Sequence, residues 1–411
     1  MTKTARILSQ GDELTTGATV DTNSAWLAER LFVHGVRVLG TASAPDDLDL
    51  LVRLFTDAAH DCDLLVSTGG LGPTTDDVTA EAAARAAGVP LVESPEALEQ
   101  IRERFRVIGR PMTPSNAKQA LLPRGAELLE NLAGTAPGFA FDLGRARAFC
   151  FPGVPRELYV MADRHLFPWL AAQGSVPLLR RRFHVCGVGE SLLQDRLEDL
   201  ALPGGVRIGY KTWLPYNTIV LYGDPGAADG LAQAAAELRR RLGEDLFGED
   251  ETTLPEATGR LLQARGWTVA FAESCTAGGA AALLTEVPGS SAWFRGGVVA
   301  YADDVKTSLL GVPAGLLAEH GAVSEECARA MADGVRRALG TDVGVSITGI
   351  AGPDGGTPDK PVGTVCFGLA LSSGTLTRRV HFGLRGRDRV RALAAATALE
   401  WLRRHLARPS E

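Results

Sequence analysis

Lysine is scarce in this chain. Of the 42 basic residues among 411, the lysines are Lys3, Lys118, Lys211, Lys306 and Lys360, and arginine supplies the rest. Arginine keeps its proton in a protein, whereas a desolvated lysine can lose one, so a lysine retained here is either a candidate for proton transfer or a chance survivor. Also missing is any C-x-x-C pair. Cys62, Cys150, Cys186, Cys275, Cys327 and Cys366 stand far apart, which argues against a zinc site or redox pair and for buried reduced thiols. No apolar run approaches the ~20 residues of a membrane-spanning helix, and the beginning of the chain shows no basic stretch leading into a long apolar segment. No membrane partner is therefore expected, and the cytoplasm is the expected address. Basic clusters long enough to follow a phosphate backbone are absent too. The net charge is −7, and the short arginine runs at 180–182 and 239–241 read as solvated faces, which argues against nucleic acid as the main ligand. No repeat period is evident, so a solenoid is not expected.

What is present describes an ordinary folded protein. Hydrophobic residues make up 45% and charged residues 22% of the chain, and its length calls for two or three domains. Residues 4–14 read as a short strand entering a polar turn, and 22-TNSAWLAERLFVHG-35 as an amphipathic helix capped by Thr22 or Asn23 and stopped by Gly35. Strands at 36–42 and 62–68 follow, with a helix near 47–60 between them. This alternation predicts a doubly wound, mostly parallel α/β sheet over 1–170, with chemistry at the carboxyl ends of its strands. A small α+β domain follows over 171–250, and 243-GEDLFGEDETTLPE-256 reads as an acidic linker. A C-terminal α/β domain over 251–411 carries a helix at 255–265, strands at 267–273, 295–301, 342–349 and 362–371, a helix at 324–338 and a final helix at 387–406.

In 66-VSTGGLGPTTDDVT-79 the glycines permit close backbone approach, and Thr74 and Thr75 suit the cap of a helix starting near Asp76. Such a start could hold a phosphate, with Asp76 and Asp77 on a bridging divalent cation, or it could be simply a capped helix whose two acids favour the dipole. Together with 10-QGDELTTGATVDTN-23, 113-TPSNAKQA-120 and 151-FPGVPREL-158, this segment resembles the molybdopterin-binding-like domain of the CinA family of competence/damage-inducible proteins. The likeness covers residues 1 to about 168. It implies a pocket that in the wider superfamily takes molybdopterin and in CinA proteins is associated with ADP-ribose pyrophosphatase activity, helped by a divalent metal (Mg²⁺ or Co²⁺) and K⁺. The site it implies comprises Asn23, Gly69, Gly70, Gly72, Thr74, Lys118 and Gly153 as substrate contacts, with Asp12, Asp76, Asp77 and Glu157 on the metal side. The middle domain of that family is KH-like; here no basic GXXG clamp is present, and the segment reads as a spacer or dimer-shaping element.

The stretch 273-ESCTAGG-279 puts Ser274 and Thr276 at the expected start of a helix near Ala277, either as nucleophile and substrate contact or as plain N-caps. His320, His381 and His405 lie outside Gly-rich strand-end loops and give a Ser–His pair little support. Lys306 follows a strand ending at Tyr301 and could accept a serine proton if desolvated; Asp303 and Asp304 oppose this and favour a surface lysine. Cys275 is the better intrinsic nucleophile, but no imidazole stands near it in sequence, and strand-like alternation turns it away from Ser274.

The segments 273–278, 288–312, 320-HGAVSEE-326, 347–365 and 387-RDRVR-391 resemble the CinA C-terminal, PncC-type nicotinamide-nucleotide amidase module. That resemblance implies hydrolysis of nicotinamide mononucleotide to nicotinate mononucleotide and ammonia by a Ser274–Lys306 pair, with Tyr301 as proton relay or substrate contact, and no cofactor. It also implies substrate contacts from Glu273, Thr276, Gly296, Gly297, Thr348, Gly349 and Gly352, and a phosphate grip from Arg387 and Arg391, which could equally be an exposed arginine face. Two departures stand out: Ala277 replaces a frequent glycine, and 385-RGR-387 replaces a more usual G-D-R. The family further implies a homodimer, and its name allows a rival role as a nucleotide sensor of the competence and recombination machinery.

Overall fold

The structure is a computed structural model that describes residues 3–408. It divides into two compact units, one up to Leu179 and one from Arg180 on, so the expected second and third domains share a single unit.

In the N-terminal unit six strands lie side by side in the order Arg37–Ala44, Thr4–Gln10, Leu64–Thr68, Ala146–Phe151, Gly138–Leu143 and Glu127–Leu129. The first four are mutually parallel and the last two antiparallel, a mixed sheet rather than a wholly parallel one. Strand Leu64–Thr68 is buried throughout, as a strand covered on both faces must be. The helix expected at 22–35 spans Thr22–Val33, but its cap is Asp21, whose carboxylate accepts from the Ser24 N–H at 2.9 Å. Thr74 and Thr75 cap nothing: the next helix starts at Thr79 without a side-chain cap. Aromatic side chains such as Phe55, Phe139 and Phe149 fill the two sheet faces, each contributing about 1.5–3 kcal/mol through burial.

The second unit holds two sheets. One has four strands in the order Val206–Trp213, Tyr216–Gly223, Leu179–Cys186 and Leu246–Glu249. The last of these overturns the linker assignment for 243–256. Leu246–Glu249 is an edge strand, because the acids around it are neutralised by the arginines read as solvated faces: Glu249 is held by Arg239 and Arg181, Glu251 by Arg182. The other sheet has the order Phe294–Val299, Val269–Glu273, Val343–Gly349, Thr364–Leu371 and Gly374–His381, the first three parallel. Helix Arg387–Ala407 packs on this sheet and fastens the preceding segment. Glu400 and Arg403, each 6% exposed, pair at 2.7 Å; Arg403 also donates to the Glu244 carbonyl, and Arg404 pairs with Asp245.

Removing one member of a buried pair leaves the other desolvated and unpaired. Glu400→Ala is therefore expected to cost about 3–5 kcal/mol of unfolding free energy in urea denaturation. A loss of about 1 kcal/mol or less, typical of surface pairs, would contradict the burial.

Candidate functional site

Each unit presents one site at the carboxyl end of its parallel strands. In the N-terminal unit a cavity of about 580 Å³ is bordered by Gln10, Asp46, the Gly69–Gly72 loop, Asp76, Asp77, Gly153 and Glu157. Gly69 adopts φ +108°, and a Cβ there would lie 2.3 Å from the Gln10 carbonyl oxygen, so no other residue fits. Gly153 packs directly on it: a Cβ on Gly153 would come 3.3 Å from the Gly69 Cα. Asn23 fastens this second loop, donating to the Gly153 carbonyl at 2.8 Å and to Thr68 Oγ1 at 3.2 Å, and thus serves the wall of the cavity. Gly70 and Gly72 leave room for the Thr79 hydroxyl and the Asp77 carboxylate.

The polar residues are more committed to one another than the sequence suggests. Thr74 donates its N–H and hydroxyl to Asp77 Oδ2 at 2.8 and 2.5 Å, and the Lys118 ammonium donates to the Thr74 carbonyl. Lys118 faces a neighbouring small cavity with Gly70, Gly72 and Asp77. Glu157 accepts from Asn131 Nδ2 at 2.7 Å, and burial pushes its carboxyl up from the ordinary range. Asp12 is not on the main cavity wall; its place is taken by Glu13 and by Asp46, to which it is tied by two bonds in which each backbone N–H donates to the other's carboxylate, at 3.3 and 3.2 Å. Asp46 was missed in the sequence, although it follows directly on a strand end, where sheet-end chemistry sits. Burial first, and then the Asp12, Asp76 and Glu13 carboxylates, hold its carboxyl above the ordinary range. Such crowding of like charge fits a cation. Among the described residues, however, no three His, Cys, Asp or Glu side chains converge as a ligand set, so a divalent ion there would keep most of its waters or take oxygens from a bound diphosphate, as Mg²⁺ does.

In the second unit the strand register builds the site. Glu273 lies level with Val299 on one side and Ile347 on the other, so Ser274, Ala300 and Thr348 come level at the end of the sheet, with Tyr301 one residue further on. The Ser274 N–H donates to the Ile347 carbonyl at 2.9 Å, and the Ala300 N–H to that of Glu273 at 2.8 Å. The helix begins at Gly279, later than expected, and the intervening turn passes through Ala277 at φ +51°, the left-handed region. That explains why glycine suits this position; alanine there costs roughly 1 kcal/mol. Among the described residues the N–H groups of Cys275 and Thr276 donate to no protein acceptor, leaving two donors beside the Ser274 hydroxyl.

Glu273 does not serve as a substrate contact. Its side chain turns under the loop and accepts from the N–H groups of Gly278, Ala280 and Ala281 at 2.9, 3.1 and 2.8 Å. Thr348 is likewise spent, donating to the Ala322 carbonyl at 2.7 Å. Gly296 and Gly297 lie within the edge strand, and Gly349 packs against Val365. Lys306 is not the surface lysine its acidic neighbours suggested: it is 1% exposed, and its ammonium donates to the Tyr301 carbonyl at 3.0 Å and to Asp303 Oδ1 at 3.1 Å. No hydrogen bond joins it to Ser274 Oγ in this arrangement. Arg387 bridges two walls, donating to the Gly352 carbonyl at 2.8 Å and the Tyr301 hydroxyl at 3.0 Å, while Arg391 donates to the Thr276 carbonyl at 3.1 Å. The Thr276 hydroxyl and Arg391 Nε are buried without partners.

Burial pushes the Cys275 thiol up to about 12. Below pH 9 the thiolate is then negligible, so iodoacetamide at pH 8 is expected to leave Cys275 unmodified in the folded protein when read by peptide mass mapping; rapid labelling of Cys275 would contradict its burial. Glu273→Ala strands three N–H groups and is expected to lower stability by about 2–4 kcal/mol and kcat with it. A rise in KM alone would instead mark a substrate contact.

No described helix is long and apolar enough to cross a membrane. Comparison with known proteins matches the CinA C-terminal domain to residues 251–406 and the probable molybdopterin binding domain to residues 6–172. The chain is 47% identical over 405 residues to a CinA-like protein of Citrifermentans bemidjiense, covering 97% of both chains. It is 48% identical to one of Anaeromyxobacter sp. (strain K), covering 97% of this chain and 98% of that one. Among solved structures, a competence/damage inducible protein from Agrobacterium tumefaciens is 38% identical over 37% of this chain and 94% of its own, with a TM-score of 0.35. Two domain families in tandem, matched over nearly its whole length by relatives of the same architecture, make this chain a member of the CinA family.

Proposed function

We propose that the C-terminal domain hydrolyses the carboxamide of nicotinamide mononucleotide, releasing nicotinate mononucleotide and ammonia, with Ser274 as nucleophile and Lys306 as the base. The observation that carries this reading is a fully buried lysine bonded to the Tyr301 carbonyl, at the strand end beside that of Ser274, in a chain that mostly uses arginine. In this mechanism Ser274 Oγ attacks the amide carbon and its proton passes to Lys306. The oxyanion is met by the open N–H groups of Cys275 and Thr276. Ammonia leaves with a proton returned from Lys306, and water resolves the acyl-serine by the reverse proton path. Lys306, an ammonium paired with the exposed Asp303, has to release that partner and give one proton to solvent before its neutral amine can take the proton of Ser274. Tyr301, hydrogen-bonded to Arg387, stands at the rim and contacts the nucleotide.

For the N-terminal domain the proposal is metal-dependent cleavage of ADP-ribose to AMP and ribose phosphate. A divalent cation that keeps most of its waters beside the Asp46, Asp76 and Asp77 carboxylates would neutralise the diphosphate, the resemblance adds K⁺, and the Gly69–Gly72 loop leaves backbone room for the phosphates.

Two experiments test these readings. Ser274→Ala is expected to lower amidase turnover by on the order of 10³-fold or more, and Lys306→Arg by on the order of 10²–10⁴-fold, in purified protein. Wild-type turnover in either variant would dissolve the pair. In the N-terminal unit the folded state disfavours the ionised form of Asp46, a cost absent at low pH that grows as pH rises through the ordinary carboxylate range. Asp46→Asn should therefore raise the melting temperature of metal-free protein at pH 7, shrink the stabilisation by Mg²⁺ and slow AMP release. An unchanged Mg²⁺ response would remove Asp46 from the site.

A further inference from the structure

A second cavity, of about 410 Å³, lies in the groove between helices Gly279–Thr285 and Arg387–Ala407, within the size range of small-molecule pockets. Its lining includes none of Ser274, Tyr301 and Lys306. The floor is flat because it is made of Gly279, Ala392, Ala395 and Ala396; a Cβ on Gly279 would already touch the Ala395 Cβ at 4.0 Å. The rim is aromatic. Hairpin residue Trp213 remains 54% exposed, with its ring 4.8 Å from that of Tyr216, which is anchored in the core beneath.

Polar groups at this groove are unsatisfied. Thr276, 1% exposed, lines it, and its hydroxyl has no hydrogen-bond partner; Arg391 lines it too, and its Nε is buried and unpaired. An orphaned buried donor is a standing cost that a bound acceptor relieves. One χ1 step carries the Thr276 hydroxyl to another staggered position, so the donor can turn to meet an acceptor in the groove without moving the backbone. Flat floor, aromatic rim and two donors together describe a slot for a planar ring joined to an anionic acceptor, with Asp388 at the edge to accept from an exocyclic amine.

We propose that this groove binds a purine nucleotide that is not hydrolysed there and that adjusts the amidase site through the Thr276 turn. The base stacks on Trp213, and the phosphate takes the Thr276 hydroxyl and the Arg391 guanidinium. Thr276 is two residues from Ser274, and its carbonyl is already held by Arg391, so filling the groove acts directly on the segment that carries the nucleophile. Binding is independent of the amidase reading; only the effect on turnover rests on it.

The test uses the full-length protein and AMP. Calorimetric titration is expected to show a site whose affinity falls about tenfold in Trp213→Ala, the worth of one stacked base, and similarly in Thr276→Val. AMP should change nicotinamide mononucleotide turnover at least about twofold in wild type and leave it unchanged in Trp213→Ala, whose AMP-free turnover matches wild type. Should Thr276→Val fail to fold, the exposed Trp213 still decides. AMP binding that is absent or indifferent to Trp213→Ala overturns the site. Trp213-dependent binding without an effect on turnover overturns the coupling, and simple competition with nicotinamide mononucleotide overturns the separate role. If Ser274→Ala abolishes turnover while Trp213-dependent binding persists, both readings stand; Trp213-dependent binding in a protein with no amidase activity retains the groove and rejects the hydrolase.

Discussion

Three backbone N–H groups converge on the side chain of Glu273, which is almost sealed from water at the end of a central strand. Buried acceptors of this kind are tolerated only when bonded, and among the described residues Gly278 and the first turn of helix Gly279–Thr285 supply the donors. The helix entry is thereby locked to the strand end, and the loop from Ser274 to Gly278 has to close within that fixed span. Its sharp course through a left-handed Ala277, the N–H groups of Cys275 and Thr276 left without a protein acceptor among the described residues, and the clasp of Arg391 on Thr276 all follow. Strain of this sort persists where neighbours over-determine it.

Much of this was legible in the sequence where information is local. Periodicity and stop signals located most helices and strands to within a few residues, and the glycine-rich strand ends marked both sites. Pairings between distant residues were not legible. The acidic run after Gly243 looks like a linker because its counter-charges, Arg181, Arg182 and Arg239, lie on other elements. Glu273 and Thr348 look like site residues because nothing in the sequence says their polar atoms are consumed by backbone groups of neighbouring segments. Asp46 was overlooked for the opposite reason: its importance comes from carboxylates that folding gathers around it.

The two sites differ in their physics. The N-terminal cavity concentrates carboxylates, with no arginine among the described residues that line it, and its backbone is rich in glycine; it suits a ligand that brings phosphates and cations of its own. The C-terminal site buries its serine, threonine and lysine while Tyr301 stays exposed at the rim, and its arginines are already engaged with carbonyls and a phenol. A low-dielectric setting strengthens the donors that meet a developing oxyanion and penalises any group left unmatched.

The level alignment of Glu273, Val299 and Ile347 carries a further consequence. Side chains alternate between sheet faces, so sliding one of these strands by a single residue would invert its buried set and at the same time displace its share of the chemistry. Packing and reactivity are thus written in the same register. Drift in the core of this sheet cannot stay silent at the serine, and the strands can change only in concert, which leaves the loops and the helix faces as the ground on which new specificity can be tried.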